Sequence, residues 1–371
     1  MMTAPQIEIQ LIASIVAVAC ALSGVFLVLR KMAMMSDAIS HSILLGIVLA
    51  FFITRDIASP LLIIAAALTG VMTVSLVELL NRSKLVKEDA SIGLVFPLLF
   101  SAGVILISRY AGNVHLDIDS VLLGELAFAP FNRFSVFGHD IGPKSMIIMS
   151  AILILNIVFL AVFYKEIKLS TFDPGLAAAL GFSPALLHYG LMSMVSITAV
   201  GAFDAVGSIL VVAFMIAPPA TAYLLTDRLS IMMLISAFIG ILCAISGYWV
   251  AYSIDASIAG SMATMAGFIF FLAFLLAPDR GIIAIARRRV RQRWEFAQVM
   301  LAVHLHQHQD LPPGSYENHV DHCYKHLNWS LPFAERVISM AKEDHLLTVK
   351  DGYLALTDTG RDTARQALTQ S

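Results

Sequence analysis

The stretch "MMSDAISHSILLGIVLAFF", Met34 to Phe52, decides how this chain is read. From Ile43 onward it is an almost unbroken apolar run of the kind that crosses a bilayer, a thickness of about 30 Å that takes roughly 20 helical residues. Asp37 and His41 stand four residues apart near its head. Ionisable groups in such a segment are expensive, and they usually face a bundle interior or a water-filled path. Residues at i and i+4 share one helix face, so this pair can address one object. A carboxylate oxygen and an imidazole nitrogen together suit a divalent transition metal such as Mn, Fe or Zn, whereas an alkali ion calls for carbonyls and carboxylates without His. The competing reading is a helix start at the interface, with Ser36 and Asp37 as caps and His41 bonded internally.

The rest of the chain has the same character. Of its 371 residues 58% are hydrophobic and 13% charged, with a mean hydropathy of +0.83, which marks an all-α polytopic membrane protein. Nine segments are long enough to span: 8–30, 35–54, 58–80, 90–109, 145–165, 186–202, 205–225, 229–252 and 257–278. The sixth runs into "GAFDAVG", where Gly201, Asp204 and Gly207 can break a helix; the eight-segment alternative fuses the sixth and seventh. The first positive charges, Arg30 and Lys31, follow the first apolar run, so no signal peptide is expected and that segment stays. With the N-terminus outside, the inner connections carry eight Lys and Arg against four in the outer ones, which orients the chain and leaves its C-terminus in the cytoplasm. Cys20, Cys243 and Cys323 form no C-x-x-C pair, and the net charge of -2 does not call for nucleic acid.

The composition changes after Pro278. "RRRVRQR", Arg287 to Arg293, reads as part of a basic linker over 281–293. From Trp294 the chain is polar and holds seven of the eleven histidines, a small cytoplasmic domain over 294–371 with turns at "LPPGS" and "KDGY". His304, His306 and His308 alternate. His319, His322, Cys323 and His326 have spacings of three and four and can share a helix face, which makes them candidate ligands of a metal sensor; the alternative is the polar surface of a short helix. Six Lys and Arg against ten acids between Trp294 and Ser371 argue against a DNA partner.

At this point the motifs become recognisable. "SDAISHSILLG" (Ser36–Gly46) resembles the start of the second transmembrane helix in the metal-ion permeases of ABC importers, which take up zinc, manganese and iron. "EDASIGLVFPLLFSAGVILIS" (Glu88–Ser108), "TFDPGLAAALGFSP" (Thr171–Pro184) and "VGSILVVAFMIAPPATAYLLTDRL" (Val206–Leu229) match in the same order, so the resemblance spans roughly residues 10 to 280. It implies a permease domain over 1–280 in which Asp37 and His41 line the metal path. It also implies that Thr171, Phe172, Asp173, Pro174, Gly175 and Gly181 belong to the segment that docks a motor ATPase. "HLDIDSVLLGELAF" (His115–Phe128) looks more like the manganese and iron branch than the zinc branch. "LPFAERVISMAKEDHLLTVKDGYLALTDTGRDTARQAL" (Leu331–Leu368) resembles the winged-helix end of iron-dependent repressors.

The residues themselves agree with the docking segment: Asp173-Pro174 reads as a helix start and Gly181 as its stop. Glu88 and Asp89 beside Lys84 and Lys87 read as a solvated face. His115, Asp117, Asp119, Glu125, His139 and Asp140 make an acidic outer loop that either draws cations to the mouth or is simply solvated. Asp204 reads as a helix cap, and Pro218 and Pro219 as a bend that interrupts the seventh segment.

There is no G-x-x-x-x-G-K-[ST] phosphate loop, since the glycines of "GHDIGPKS" are one residue too close, and no H-E-x-x-H. Energy must come from another chain or from an ion gradient. The expected function is the membrane subunit of an ABC importer for a divalent metal, manganese first, with iron or zinc as alternatives, in a bacterial inner membrane. The metal is cargo, and no permanently bound cofactor is expected. The implied partners are cytoplasmic ATPase subunits, an extracytoplasmic metal-binding protein and a second permease chain, identical or related. A gradient-driven secondary transporter and a membrane-tethered metal-responsive regulator are the alternatives.

Overall fold

The computed structural model describes residues 3–55, 59–110, 126–136, 139–308 and 316–370. His115, Asp117, Asp119 and Glu125 of the acidic outer loop lie outside the described residues, and so do the side chains of Glu88, His139 and Asp140. The chain divides into two compact units, Met1–Gly281 and Ile282–Ser371.

In the first unit, nine helices among the described residues are long and apolar enough to cross a membrane. They are α1 (Ala4–Leu29), α2 (Met34–Thr54), α3 (Pro60–Arg82) and α4 (Glu88–Tyr110); then, after a short antiparallel hairpin of β1 (Arg133–Val136) and β2 (His139–Pro143), α5 (Lys144–Val162). Two short helices, α6 (Tyr164–Phe172) and α7 (Pro174–Ala179), lead into α8 (Pro184–Val206), α9 (Ser208–Leu225), α10 (Leu229–Ile254) and α11 (Ile258–Leu276). The chain is thus a multi-pass membrane protein. Three of these helices start on one local device: Ser59, Asp173 and Ser183 each accept a hydrogen bond from a first-turn amide while the next residue is proline. A side-chain oxygen satisfies an orphan N–H and the ring's fixed φ suits the first helical position.

Helix α1 is the most enclosed span, with α5, α8, α9 and α10 packed around it. Its polar residues are paired inside: Asn156 Nδ2 donates to Thr198 Oγ1 at 2.8 Å, and Ser23 Oγ lies 3.4 Å from the same oxygen, joining α1, α5 and α8. Unpaired, those groups would each cost on the order of several kcal/mol in hydrocarbon.

Three expectations change. The sixth span continues to Val206, and the break before α9 falls at Gly207 alone, whose φ of 79° and ψ of 166° favour glycine. Gly201 is instead a contact point, where a Cβ would stand 2.3 Å from Ile152 Cδ1. Asp204 caps nothing; it lies exposed in the last turn of α8. Pro218 and Pro219 do not interrupt α9, which runs through both. Lacking N–H groups, they free the carbonyls of Phe214 and Met215, and the Met215 oxygen packs so closely on Gly24 that a Cβ there would be 1.9 Å away.

The second unit begins with α12 (Ile282–Gln307), so the basic run expected as a linker is helical and its arginines are exposed. After a 3-10 turn at Tyr316–Asn318 come α13 (Val320–His326), α14 (Leu331–Glu343), the hairpin β3 (Leu347–Lys350) and β4 (Tyr353–Leu356), and α15 (Asp358–Gln370). Asp351 and Gly352, both at positive φ, make its two-residue turn. Ala297, Leu301, Leu305, Val337, Leu347 and Leu354 form a core of their own, with Trp294 stacked on Phe333.

Candidate metal path and coupling surface

Asp37 lies in the first turn of α2, but it caps nothing. The N-cap is Ala33, no side chain closes the helix start, and the Ser36 hydroxyl donates to the Ala33 carbonyl at 2.9 Å. The partner of Asp37 is His41, whose Nε2 stands 3.4 Å from Oδ1. Ser36, Ser40 and Ser42 of α2 are buried, while the side chains of Asp37 and His41 remain 35% and 27% exposed. The His41 ring is held between Phe96 and Phe100 of α4, each at a centroid distance of 5.9 Å. Two ligand atoms on a partly open face can hold an ion only in part. A second set of ligands from a facing chain would complete the coordination.

The same end of the unit contains a second polar cluster. A cleft of about 200 Å³ is bounded by the start of α2, the end of α3 and the start of α8, with Met32, Met35, Val74, Glu78, Asn81 and His188 among its lining residues. Glu78 Oε1 accepts from Arg82 Nε at 3.0 Å. Its Oε2 is buried without a hydrogen-bond partner, 4.0 Å from His188 Nε2. The other nitrogen of His188, Nδ1, lies 3.1 Å from Arg30 Nη1. Neither Glu78 nor His188 was singled out from sequence. Each is nevertheless an ionisable residue in an apolar segment, "SLVELLNR" and "PALLHYG", which is the signal that could have found it.

The segment expected to dock a motor ATPase is two helices rather than one. α6 ends at Phe172, and Asp173, with its backbone extended at φ -145° and ψ 86°, turns the chain and caps α7 by accepting from the Leu176 amide at 2.9 Å. Gly181, at φ 89°, ends it. Phe172, Leu176, Leu180 and Phe182 are all exposed, an apolar knob on a polar frame of the kind that seats in a groove. Arg30 reaches this segment too, its Nε donating to the Thr171 hydroxyl at 3.2 Å.

In the second unit the four expected ligands do not converge. His319 is the N-cap of α13, accepting from the Asp321 amide through Nδ1, and its ring lies over the hairpin turn against Tyr353. Cys323 is in the core, its thiol 3.6 Å from the Glu317 carbonyl and pushed up to about 11 by burial, so it stays protonated and is a poor ligand. His322 and His326 do meet, and the residue that joins them is His304.

The ABC 3 transport family matches residues 6–277. The zinc transport system membrane protein TroD of Treponema pallidum is 47% identical over 361 residues, 97% of this chain and 98% of that protein. The manganese transport system membrane protein MntD of Bacillus subtilis is 50% identical over 283 residues, 76% of this chain and 96% of that protein. Among solved structures, PsaBC from Streptococcus pneumoniae in complex with Fab superposes with a TM-score of 0.62 at 27% identity, over 75% of this chain and 94% of that one. With nine apolar helices among the described residues and the four ordered motifs, the chain belongs to the ABC 3 transport family, the permeases of metal-ion ABC importers.

Proposed function

We propose that this permease passes a divalent transition metal, manganese first, between the Asp37–His41 pairs of two copies packed face to face. The observation that carries this reading is the uncapped, half-open pair itself, at 3.4 Å across one turn of α2. Two carboxylates and two imidazoles make a mixed oxygen and nitrogen set. The carboxylates favour Mn(II) more than an all-nitrogen site would. The chain is oriented with its N-terminus outside and its C-terminus in the cytoplasm, so Asp37, Glu78 and His188 lie toward the inner side and α7 faces the cytoplasm. An extracytoplasmic binding protein delivers the ion, and cytoplasmic ATPase subunits seat the apolar knob around α7 and switch access by hydrolysis. The order of helices and hairpin in the second unit supports a winged-helix reading of that unit. The test is uptake of Mn(II), Fe(II) and Zn(II) into vesicles holding the permease with its ATPase and binding protein. ATP-dependent Mn(II) uptake ahead of the other two supports the proposal, ATP-dependent Zn(II) or Fe(II) uptake ahead of Mn(II) corrects the cargo, and uptake indifferent to ATP overturns it.

A further inference from the structure

We infer that the C-terminal unit carries a metal site made by His304, His322 and His326, of a chemistry that takes zinc ahead of manganese. The three side chains come from two helices, His304 from the last turn of α12 and the other two from α13, and each offers a ring nitrogen, all within 4.8 Å of one another. His322 and His326, at i and i+4, stack with centroids 5.4 Å apart and ring planes 15° from parallel. Their centroids stand 5.9 and 5.0 Å from that of His304.

His304 gives the cluster its direction. It is 4% exposed, yet its Nε2 is buried with no hydrogen-bond partner. The backbone of Glu317 bonds the same ring. A ring nitrogen of this buried histidine lies within 4.8 Å of those of His322 and His326. A polar surface cluster does not account for a buried nitrogen with nothing to bond.

The donor set decides the class of ion. Three imidazoles and no carboxylate suit Zn(II), Cu(II) or Ni(II), while Mn(II) prefers oxygen ligands. Tetrahedral zinc with Zn–N bonds of about 2.0 Å needs nitrogens roughly 3.3 Å apart. Only half-buried His322 and exposed His326 must move to reach that, and both lie on a surface helix of seven residues. The fourth position is taken by water or by His308, whose ring centroid is 4.6 Å from that of His304. Occupancy would clamp the end of α12 to α13. Resting on the proposed cargo, the site binds a different class of ion from that favoured by the path, so its occupancy reports on zinc rather than on the transported metal.

The test uses the full-length chain in detergent with Asp37→Asn and His41→Ala in place, so that the path contributes no metal. Dialysis against zinc chloride and then metal-free buffer should leave about one zinc per chain in that background. Adding His322→Asn and His326→Asn should remove it. Cobalt in place of zinc should give the intense visible absorption of a four-coordinate site, absent from the variant, and manganese should not be retained. His326→Asn alone, an exposed change that the fold tolerates, should weaken zinc binding by about tenfold or more. Zinc retained equally by the chain without His322 and His326, an unchanged affinity in His326→Asn, or no retained zinc in the path-only variant would each overturn the site.

Discussion

Arg30 and Thr171 are 141 residues apart, and the guanidinium at the end of α1 donates to the threonine hydroxyl at 3.2 Å while its Nη1 meets His188 at 3.1 Å. One side chain therefore ties the docking segment to the cleft that holds Glu78. A polar link of this kind would carry any movement of α6 and α7 to the residues at the start of α8. Arg30→Met keeps the aliphatic stem and removes the link, at a cost of about 1.5–3 kcal/mol for the charged hydrogen bonds. We expect an assembled complex that still hydrolyses ATP while metal uptake falls about tenfold, the equivalent of 1.4 kcal/mol in coupling. Hydrolysis and uptake measured on the same vesicles decide it, and unchanged uptake would show that the link is structural only.

Gly175 tests the knob itself. It is exposed at the second position of α7, and a Cβ there would meet only Asp173 Oδ1, at 3.4 Å. Gly175→Leu therefore fits the fold, and it raises helix propensity by up to about 1 kcal/mol. The added bulk projects where an ATPase groove would close. Thermal stability of the permease should be unchanged or slightly higher, and copurification of the ATPase should be lost. A variant that copurifies and transports normally removes α7 from the contact.

The spans were legible because hydropathy reports directly what a bilayer demands, and the helix start at Asp173 because Asp-Pro acts locally, while the equivalent Ser183-Pro184 start was missed. The break at Gly207 was visible only as one of three candidates, since Gly201 and Asp204 suit a break equally well until Ile152 is seen packed on Gly201. The polar sites split the same way. Asp37 and His41 share one helix and could be paired by spacing alone. Glu78 and His188 come from different helices, as do His304 and His322, and no spacing rule brings them together. His319 and Cys323 had the right spacing, but one was needed as a cap and the other as core.

Gly24 and Met215 show what a proline pair needs from its neighbour. Pro219 leaves the Met215 carbonyl without its helical N–H, and the oxygen lies against the bare Cα of Gly24, where any Cβ would be 1.9 Å away. That overlap is with backbone, so no rotamer relieves it and α1 must move away from α9. Gly24→Ala should destabilise the bundle by about 1–3 kcal/mol, and by more if α1 cannot shift. The measurement is the thermal midpoint and the monodisperse fraction in detergent. Retention of both at the parent level would mean that α1 and α9 pack more loosely than this contact implies.

The Asp37–His41 pair makes the sharpest claim on function. Asp37→Asn nearly preserves shape and removes the anionic ligand; His41→Ala removes the nitrogen but leaves Phe96 and Phe100 in place. Neither residue caps α2, so neither change should cost the fold a helix end. If the pair is a conducting site it must release its ion as readily as it binds it, so a modest parent affinity is expected and losing one ligand should cut flux sharply. Each single variant should reduce metal uptake by about tenfold or more, an effect of at least 1.4 kcal/mol on one step. The double variant should be little worse than either, because both residues act on one ion and their effects do not add. Initial uptake rates in reconstituted vesicles, normalised to the inserted permease, give the cycle. Additive losses would mean that the two residues work at separate steps, and normal flux in Asp37→Asn would remove the pair from the path.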